Sequence, residues 1–199
     1  MRYRKRIIRN NKYYHITNRG VARRPTFLDN DDYITFMNLV RKGCGKYDVK
    51  IVAMCVMPNH FHFLVWAIHA NKVSRCLQWI TSIYAKYFNR RYDRNGHLWQ
   101  DRFYAKEIYD GLHLGVCWRY VEQNPVRARL VGNALDWKWS SSYMRASGIE
   151  TLFLVLPHWW GTETMDEWWS DKLLKEDMLQ KIRRSISATH IHDDIELWI

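Results

Sequence analysis

Residues 49–68 have the sequence VKIVAMCVMPNHFHFLVWAI, which consists of two apolar runs separated by a Pro-Asn pair. Runs of this length, rich in β-branched and aromatic residues and bounded by turn residues, are typical of β-strands. The stretch therefore predicts a β-hairpin with strands at Val49–Met57 and His60–Ile68. Because both strands are almost wholly apolar, we expect the hairpin to lie in the centre of its sheet.

The segments around this hairpin alternate between strand and helix patterns. A β-rich run precedes it at 13–18, and another follows at 98–108. Three segments with apolar residues at helical spacing lie at about 29–45 (ending near Gly43 and Gly45), 73–88 and 112–123. The order β-α-β-β-α-β-α favours an α+β fold, a ferredoxin-like or RRM-like (RNA-recognition-motif-like) sandwich with a central antiparallel sheet and helices mainly on one face.

Composition divides the chain into three parts. Residues 1–12 form a basic leader, residues 13–145 carry the predicted strands, and residues 146–199 form an acidic, Trp-rich extension that we expect to be mostly helical. The four cysteines form no C-x-x-C pair, which indicates reduced thiols in a cytosolic protein rather than a disulfide framework. We expect a cytoplasmic, nucleoid-associated location.

The charge of the chain is concentrated in its first half. The net charge is +11, and residues 1–100 alone carry 19 of the 31 basic and 5 of the 20 acidic residues, a net charge of +14. Such a field attracts a polyanion, with nucleic acid as the first candidate and a membrane surface as the second. No apolar run of about 18 residues is present, so no membrane span is expected.

His60 and His62 are the first candidates for a chemical site. They lie two residues apart in a predicted strand, so both imidazoles point to the same face, opposite Phe61 and Phe63. Two imidazoles on one face can supply half of a divalent-metal site or can be two partly buried histidines satisfied by hydrogen bonds. A competing pair at His190 and His192 is more typical of a solvated tail.

Five blocks of sequence, taken together, resemble the REP-associated tyrosine transposases, where REP stands for repetitive extragenic palindrome. These proteins belong to the single-tyrosine branch of the HUH endonucleases and are IS200-like transposases. The blocks span about 13–143 and are, in order, YHITNRG (14–20), MPNHFHFLV (57–65), GHLWQDRF (96–103), RYVEQNPVRARLV (119–131) and WSSSY (139–143).

The resemblance implies an enzyme that cleaves and transfers single-stranded DNA carrying REP-type hairpins, through a 5′-phosphotyrosine intermediate. By position in the blocks, His60 and His62 match the metal histidines, Tyr120 matches the nucleophile, and Asn124 matches the residue that completes the metal shell. The implied cofactor is a divalent metal, Mg²⁺ or Mn²⁺. The implied partner is REP- or BIME-type hairpin DNA, bound by a monomer or a homodimer.

The spacing of the residues is compatible with these roles. Tyr120 and Asn124 are four residues apart, which would place them on one helix face beside the buried stripe, although Asn124-Pro125 either ends this helix or caps a successor. The basic clusters offer contacts to the DNA backbone, and the residues we expect to bind DNA are Arg19, Arg23, Arg24, Lys86, Arg90 and Arg91.

Two alternatives stay open at this point. The chain could be a non-catalytic single-stranded nucleic-acid-binding protein with an RRM-like fold, in which the two histidines and Tyr120 are structural. A zinc-dependent base deaminase is disfavoured because the H-x-E and P-C-x-x-C signature is absent. For the acidic extension we weigh two roles, a structural helix that docks on the domain and a competitor that covers the DNA-binding groove.

Overall fold

The fold is described by a computed structural model that covers residues 7–109, 111–149 and 151–157. The pair at His190 and His192 and nearly all of the Trp-rich extension lie outside the described residues. Within the described part the chain forms four strands, five α-helices and two short 3₁₀ turns. In chain order the strands and α-helices are β1 (Lys12–Arg19), α1 (Asn30–Tyr47), β2 (Lys50–Met57), β3 (His60–Ala67), α2 (Ala70–Arg91), β4 (Tyr104–Ile108), α3 (Gly111–Glu122), α4 (Asn124–Arg127) and α5 (Ser141–Ala146).

The four strands form one antiparallel sheet in the order β2-β3-β1-β4. The predicted α+β fold is confirmed, but β2 is an edge strand of this sheet and not a central one. Its apolar sequence is explained by later parts of the chain, which cover the edge. The backbone amide of Ile51 donates to the Phe153 carbonyl at 2.8 Å, and that of Val56 donates to the Trp139 carbonyl at 2.9 Å.

One face of the sheet is covered by the two long helices, α1 and α2, as predicted. Phe61, Phe63 and Val65 of β3 point into this first core. Helix α1 continues past Gly43 and Gly45 to Tyr47, beyond its predicted end. The reason lies in helix packing, because a Cβ atom on Gly43 would stand 2.8 Å from Cγ1 of Ile80 in α2. Gly43 thus permits close approach of the two helices and does not end α1.

The opposite face of the sheet is covered by α3. The predicted stripe of this helix, Leu114, Cys117, Trp118 and Val121, is buried in a second core together with Leu64 of β3. The helices therefore lie on both faces of the sheet, with the two long ones together on one. Because residues alternate along β3, the face that α3 covers is also the face of His60 and His62. No helix in the described ranges is long and apolar enough to cross a bilayer.

The end of α2 is tied to the start of α1 by an ion-pair network. Asp29 caps α1 by accepting from the amide of Asp32 at 3.1 Å. The Arg91 guanidinium donates to Asp29 at 2.7 Å and to the fully buried carboxylate of Asp32 at 2.8 Å.

The predicted β segment after α2, at 98–108, is longer than the strand that forms, since only Tyr104–Ile108 is a strand.

Candidate active site

His60 and His62 lie on β3, next to β1 in the middle of the sheet. In the β1–β3 register, His62 is opposite Thr17 and His60 is opposite Arg19. The two imidazole rings are 4.8 Å apart between centroids and nearly perpendicular. His62 is buried and His60 is half-buried. The prediction that the two rings share a face is therefore confirmed.

The ring of His60 is oriented by the residue before it. Nδ1 of His60 lies 2.6 Å from Oδ1 of Asn59. The amide orientation of Asn59 is fixed independently, since its Nδ2 donates to the Arg23 carbonyl at 3.0 Å. An amide oxygen can only accept, so His60 carries its proton on Nδ1 and keeps the lone pair on Nε2. That nitrogen is the one available to a metal ion.

The ring of His62 is paired with a third histidine, His15 of β1. Nδ1 of His62 lies 2.9 Å from Nε2 of His15, and the two rings are within 12° of parallel. Burial, with nearby positive charge as the smaller cause, lowers the pKa of His15 to about 3 and that of His60 to about 4. The pKa of His62 is lowered well below its usual value by burial first and by the neighbouring histidines second. All three imidazoles are neutral at pH 7, the form that binds metal ions.

Tyr120 lies on α3 and packs edge-on against two of these histidines. Its ring centroid is 5.8 Å from that of His62 and 5.9 Å from that of His15, with interplanar angles of 86° and 78°. The side chain is 1% exposed. The sequence predicts a position beside the buried stripe, but the structure places Tyr120 within the second core, over the strand that carries the histidines.

Asn124 opens the short helix α4 and does not extend α3. Helix α3 ends at Glu122 because Pro125 lacks the amide proton that would continue the helical hydrogen bonds, and Pro125 then sits in the first turn of α4. Asn124 still contacts the end of α3, since its Nδ2 donates to the Tyr120 carbonyl at 3.1 Å. The expectation of a single helix through both residues is wrong, and a separate helix that begins at Asn124, with no side-chain cap, is what forms.

Arg127 joins Tyr120 to Asn124, a connection that the sequence analysis missed. Its guanidinium carbon is 4.0 Å from the centroid of the Tyr120 ring, and Nη2 donates to Oδ1 of Asn124 at 3.1 Å. The only sequence signal was that Arg127 follows Asn124 by three residues, the spacing of neighbours on a helix surface.

The donor set fits a divalent metal in part. In the described residues, no group of three or more His, Cys, Asp and Glu side chains is arranged to hold a metal ion. The alternative set is two imidazole nitrogens, on His60 and His62, and the amide oxygen of Asn124. Neutral imidazoles with Nδ1 engaged elsewhere and Nε2 available are the usual form of histidine ligands. These residue types are those of a mixed nitrogen and oxygen site, and Oδ1 of Asn124 accepts a hydrogen bond from the Arg127 guanidinium at 3.1 Å.

The predicted DNA-binding residues fall into two groups. Arg19 lies opposite His60 in the sheet and donates to Gln100 at 2.7 Å, and Arg23 and Arg24 are exposed in the turn that follows β1. The other group, Lys86, Arg90 and Arg91, lies in the last turns of α2 on the opposite face. Arg91 binds the carboxylates of Asp29 and Asp32, so much of its charge is already offset.

Comparison with known proteins places the chain in a family. Residues 8–124 match the family model described as "Transposase IS200 like". A Haemophilus influenzae (strain Rd) protein named "Putative REP-associated tyrosine transposase" is 30% identical over 123 residues, which covers 55% of this chain and 69% of that protein.

The fold also has a counterpart among solved structures. The structure of a REP-associated tyrosine transposase bound to a REP hairpin superposes with a TM-score of 0.61 over 88% of this chain and 100% of that chain. Sequence identity with it is 19%, so this likeness concerns the fold. Because the family model matches more than half of the residues, and the Haemophilus influenzae relative is similar over most of its own length, this chain belongs to the IS200-like transposase family.

Proposed function

We propose that this protein cleaves and rejoins single-stranded DNA next to a hairpin, with Tyr120 as the nucleophile and a divalent metal ion held by His60, His62 and Asn124. The observation that carries the proposal is the packing of the Tyr120 ring against His62, with 5.8 Å between the centroids. This contact supports the proposal because it puts the phenol of Tyr120, the proposed nucleophile, beside the imidazole of His62, a proposed metal ligand.

The metal ion would be held by Nε2 of both histidines and by Oδ1 of Asn124. When bound there, Mg²⁺ or Mn²⁺ would polarise the scissile phosphate and offset the charge that develops on it. Imidazole ligands suit Mn²⁺ better than Mg²⁺, which prefers an all-oxygen shell. We therefore expect Mn²⁺ to bind more tightly than Mg²⁺ to the isolated protein.

In the proposed step the phenolic oxygen of Tyr120 attacks the phosphorus of the scissile phosphodiester. A bond forms between this oxygen and phosphorus, and the bond from phosphorus to the 3′-oxygen of the preceding nucleotide breaks. The phenol loses its proton and the departing 3′-oxygen gains one, which leaves a 5′-phosphotyrosine and a free 3′-OH. The covalent bond conserves the phosphodiester energy, so attack by a 3′-OH rejoins a strand without ATP.

The substrate we propose is DNA with REP-type hairpins. The name of the Haemophilus influenzae relative and the hairpin held by the structural neighbour point to this substrate class. We propose that Arg19, Arg23 and Arg24 contact the strand near His60, and that Lys86, Arg90 and Arg91 contact a more distant part of the DNA. Arg91 would contribute least, because Asp29 and Asp32 compete for its guanidinium.

One observation favours a second candidate function. Tyr120 is 1% exposed, so a phosphate can reach its oxygen only after the groups that cover it, the Arg127 side chain among them, have moved. A protein that binds hairpin DNA without cleaving it would keep such a tyrosine as a core residue. The two candidates differ in whether a covalent protein–DNA adduct forms.

The test is incubation with a hairpin oligonucleotide labelled at its 3′ end and Mn²⁺ or Mg²⁺, followed by denaturing electrophoresis, because a 5′-phosphotyrosine keeps the 3′ fragment on the protein. The proposal expects a covalent adduct with the wild type and none with Tyr120→Phe, whose ring can occupy the same core position. The matched control is Tyr109→Phe, because Tyr109 is 70% exposed and lies outside the site. Binding without any adduct would select the second candidate.

A further inference from the structure

The two proposed metal histidines differ in the partner on their Nδ1 atoms. For His60 the partner is an adjacent amide oxygen, which can only accept a hydrogen bond. For His62 the partner is another imidazole, which can donate or accept according to its tautomer. The protonation of His62 therefore depends on His15, a residue 47 positions away in the sequence.

The side chain of His15 is buried and held against His62 and Tyr120. It is 1% exposed, and its ring is stacked on His62 with 5.1 Å between centroids while Tyr120 covers it edge-on. A lone pair on Nε2 of His15 can accept from Nδ1–H of His62, which leaves Nε2 of His62 unprotonated. The opposite arrangement would put the His62 proton on Nε2 and block that nitrogen as a ligand.

We infer that His15 is a positioning residue that holds His62 in the tautomer with its proton on Nδ1, so that Nε2 of His62 can bind the metal ion. The inference deepens the proposed function and rests on it, because it concerns the same metal ion. It also makes the three rings of His15, His62 and Tyr120 one packed unit, in which the ligand and the nucleophile share a neighbour.

The first part of the test uses the metal-free protein. Long-range ¹H–¹⁵N correlation spectra of the imidazoles at pH 7.5 report which nitrogen of each histidine carries the proton. We expect Nδ1–H for His62 and for His15 in the wild type, and loss of the Nδ1–H preference of His62 in His15→Leu. A wild-type His62 protonated on Nε2 overturns the inference whatever the protein does with metal ions.

The second part measures Mn²⁺ affinity by calorimetry. Loss of the partner that orients a metal histidine typically lowers metal affinity about 10- to 100-fold, which is the effect expected for His15→Leu. His15→Gln offers an amide oxygen to His62 and should restore most of the affinity. The exposed residue His97 supplies the control, since His97→Gln should bind as the wild type does.

The outcomes separate the inference from the proposed function. Wild-type affinity in a folded His15→Leu protein overturns the role of His15 while the metal site stands. A wild type with the expected tautomer that binds no Mn²⁺ overturns the metal site of the proposed function, and the role of His15 falls with it. Equal weakening in His15→Leu and His15→Gln would assign His15 to packing and overturn the inference as well.

Discussion

The guanidinium of Arg127 stacks on the Tyr120 ring, 4.0 Å from its centroid, and at the same time donates to Oδ1 of Asn124 at 3.1 Å. One side chain thus contacts both the proposed nucleophile and the proposed oxygen ligand. It also donates to the Tyr120 carbonyl at 3.4 Å, across the break between α3 and α4. The relative position of α3 and α4, on which the proposed cleavage depends, is fixed in part by this residue.

Replacing Arg127 by Met should slow cleavage strongly. Hydrogen bonds from a charged group contribute about 1.5–3 kcal/mol, so the first-order rate of adduct formation should fall by roughly 10- to 100-fold. Arg127→Lys should recover part of the rate, because an ammonium keeps the charge but not the planar stacking. Single-turnover adduct formation measures the effect, with the exposed residue Arg129 changed to Met as the control. An unchanged rate of adduct formation in Arg127→Met would show that Arg127 has no role in cleavage.

Gly43 and Gly45 should respond oppositely to the same substitution. Gly43→Ala adds a Cβ atom 2.8 Å from Cγ1 of Ile80, and overpacking of this kind typically costs about 1–3 kcal/mol of unfolding free energy. Gly45→Ala meets no atom within 4 Å and removes a glycine from a helix, which should stabilise by about 0.5–1 kcal/mol. Urea unfolding of the two variants measures both effects. Equal changes for the two would show that α1 and α2 are not in close contact.

The ion pair of Glu122 and Arg145 should be essential for stability. The two side chains are 9% and 17% exposed, and Nη1 of Arg145 lies 2.6 Å from Oε1 of Glu122. Arg145→Met would leave a nearly buried carboxylate without its cation, a change that typically costs about 3–5 kcal/mol. The double variant Glu122→Gln with Arg145→Met removes both charges and should be more stable than Arg145→Met alone. Thermal unfolding measures the stability lost in each single variant and in the double variant. If the two single losses simply add up in the double variant, Glu122 and Arg145 do not interact directly.

The histidines of the candidate site, His15 and His62 buried and His60 half-buried, should make the metal-free protein sensitive to mild acid. Burial holds the folded-state pKa of His15 at about 3 and that of His60 at about 4, below the value near 6.5 of an unfolded chain. The unfolded chain therefore binds more protons below about pH 6.5, and stability present above that pH is lost as the pH falls towards 4.

Unfolding by urea at several pH values between 7.5 and 5 measures this loss. His15→Gln should show a shallower fall in unfolding free energy than the wild type, because one site of proton uptake is gone. His97→Gln, at an exposed position, should keep the wild-type slope. A wild type equally stable at pH 7.5 and pH 5 would contradict the burial of neutral histidines at this site.

The sequence was sufficient where the information is local. The alternation of His60, Phe61, His62 and Phe63 determines which side chains share a face, and the spacing of Leu114, Cys117, Trp118 and Val121 determines which side of α3 is buried. Both follow from the geometry of one strand or one helix, and the structure bears them out.

The contacts that the sequence did not reveal are set by the tertiary fold. His15 meets His62 only through the register of β1 on β3, and a shift of that register would separate the two rings. The edge position of β2 was hidden because the segments around Trp139 and Phe153 cover that edge, so β2 is buried and apolar like a central strand. Arg127 reaches Tyr120 across the break at Gln123 between α3 and α4, and the position of that break depends on how the two helices pack.

The most direct test of the account identifies the residue that becomes attached to DNA. The wild type is incubated with hairpin DNA and Mn²⁺, digested with protease and nuclease, and its nucleotide-bearing peptide is sequenced by tandem mass spectrometry. The account predicts a single 5′-phosphonucleotide linked to the oxygen of Tyr120, with no such peptide from His60→Ala under the same conditions. A nucleotide on any other residue, or none at all in wild type that binds the hairpin, would contradict it.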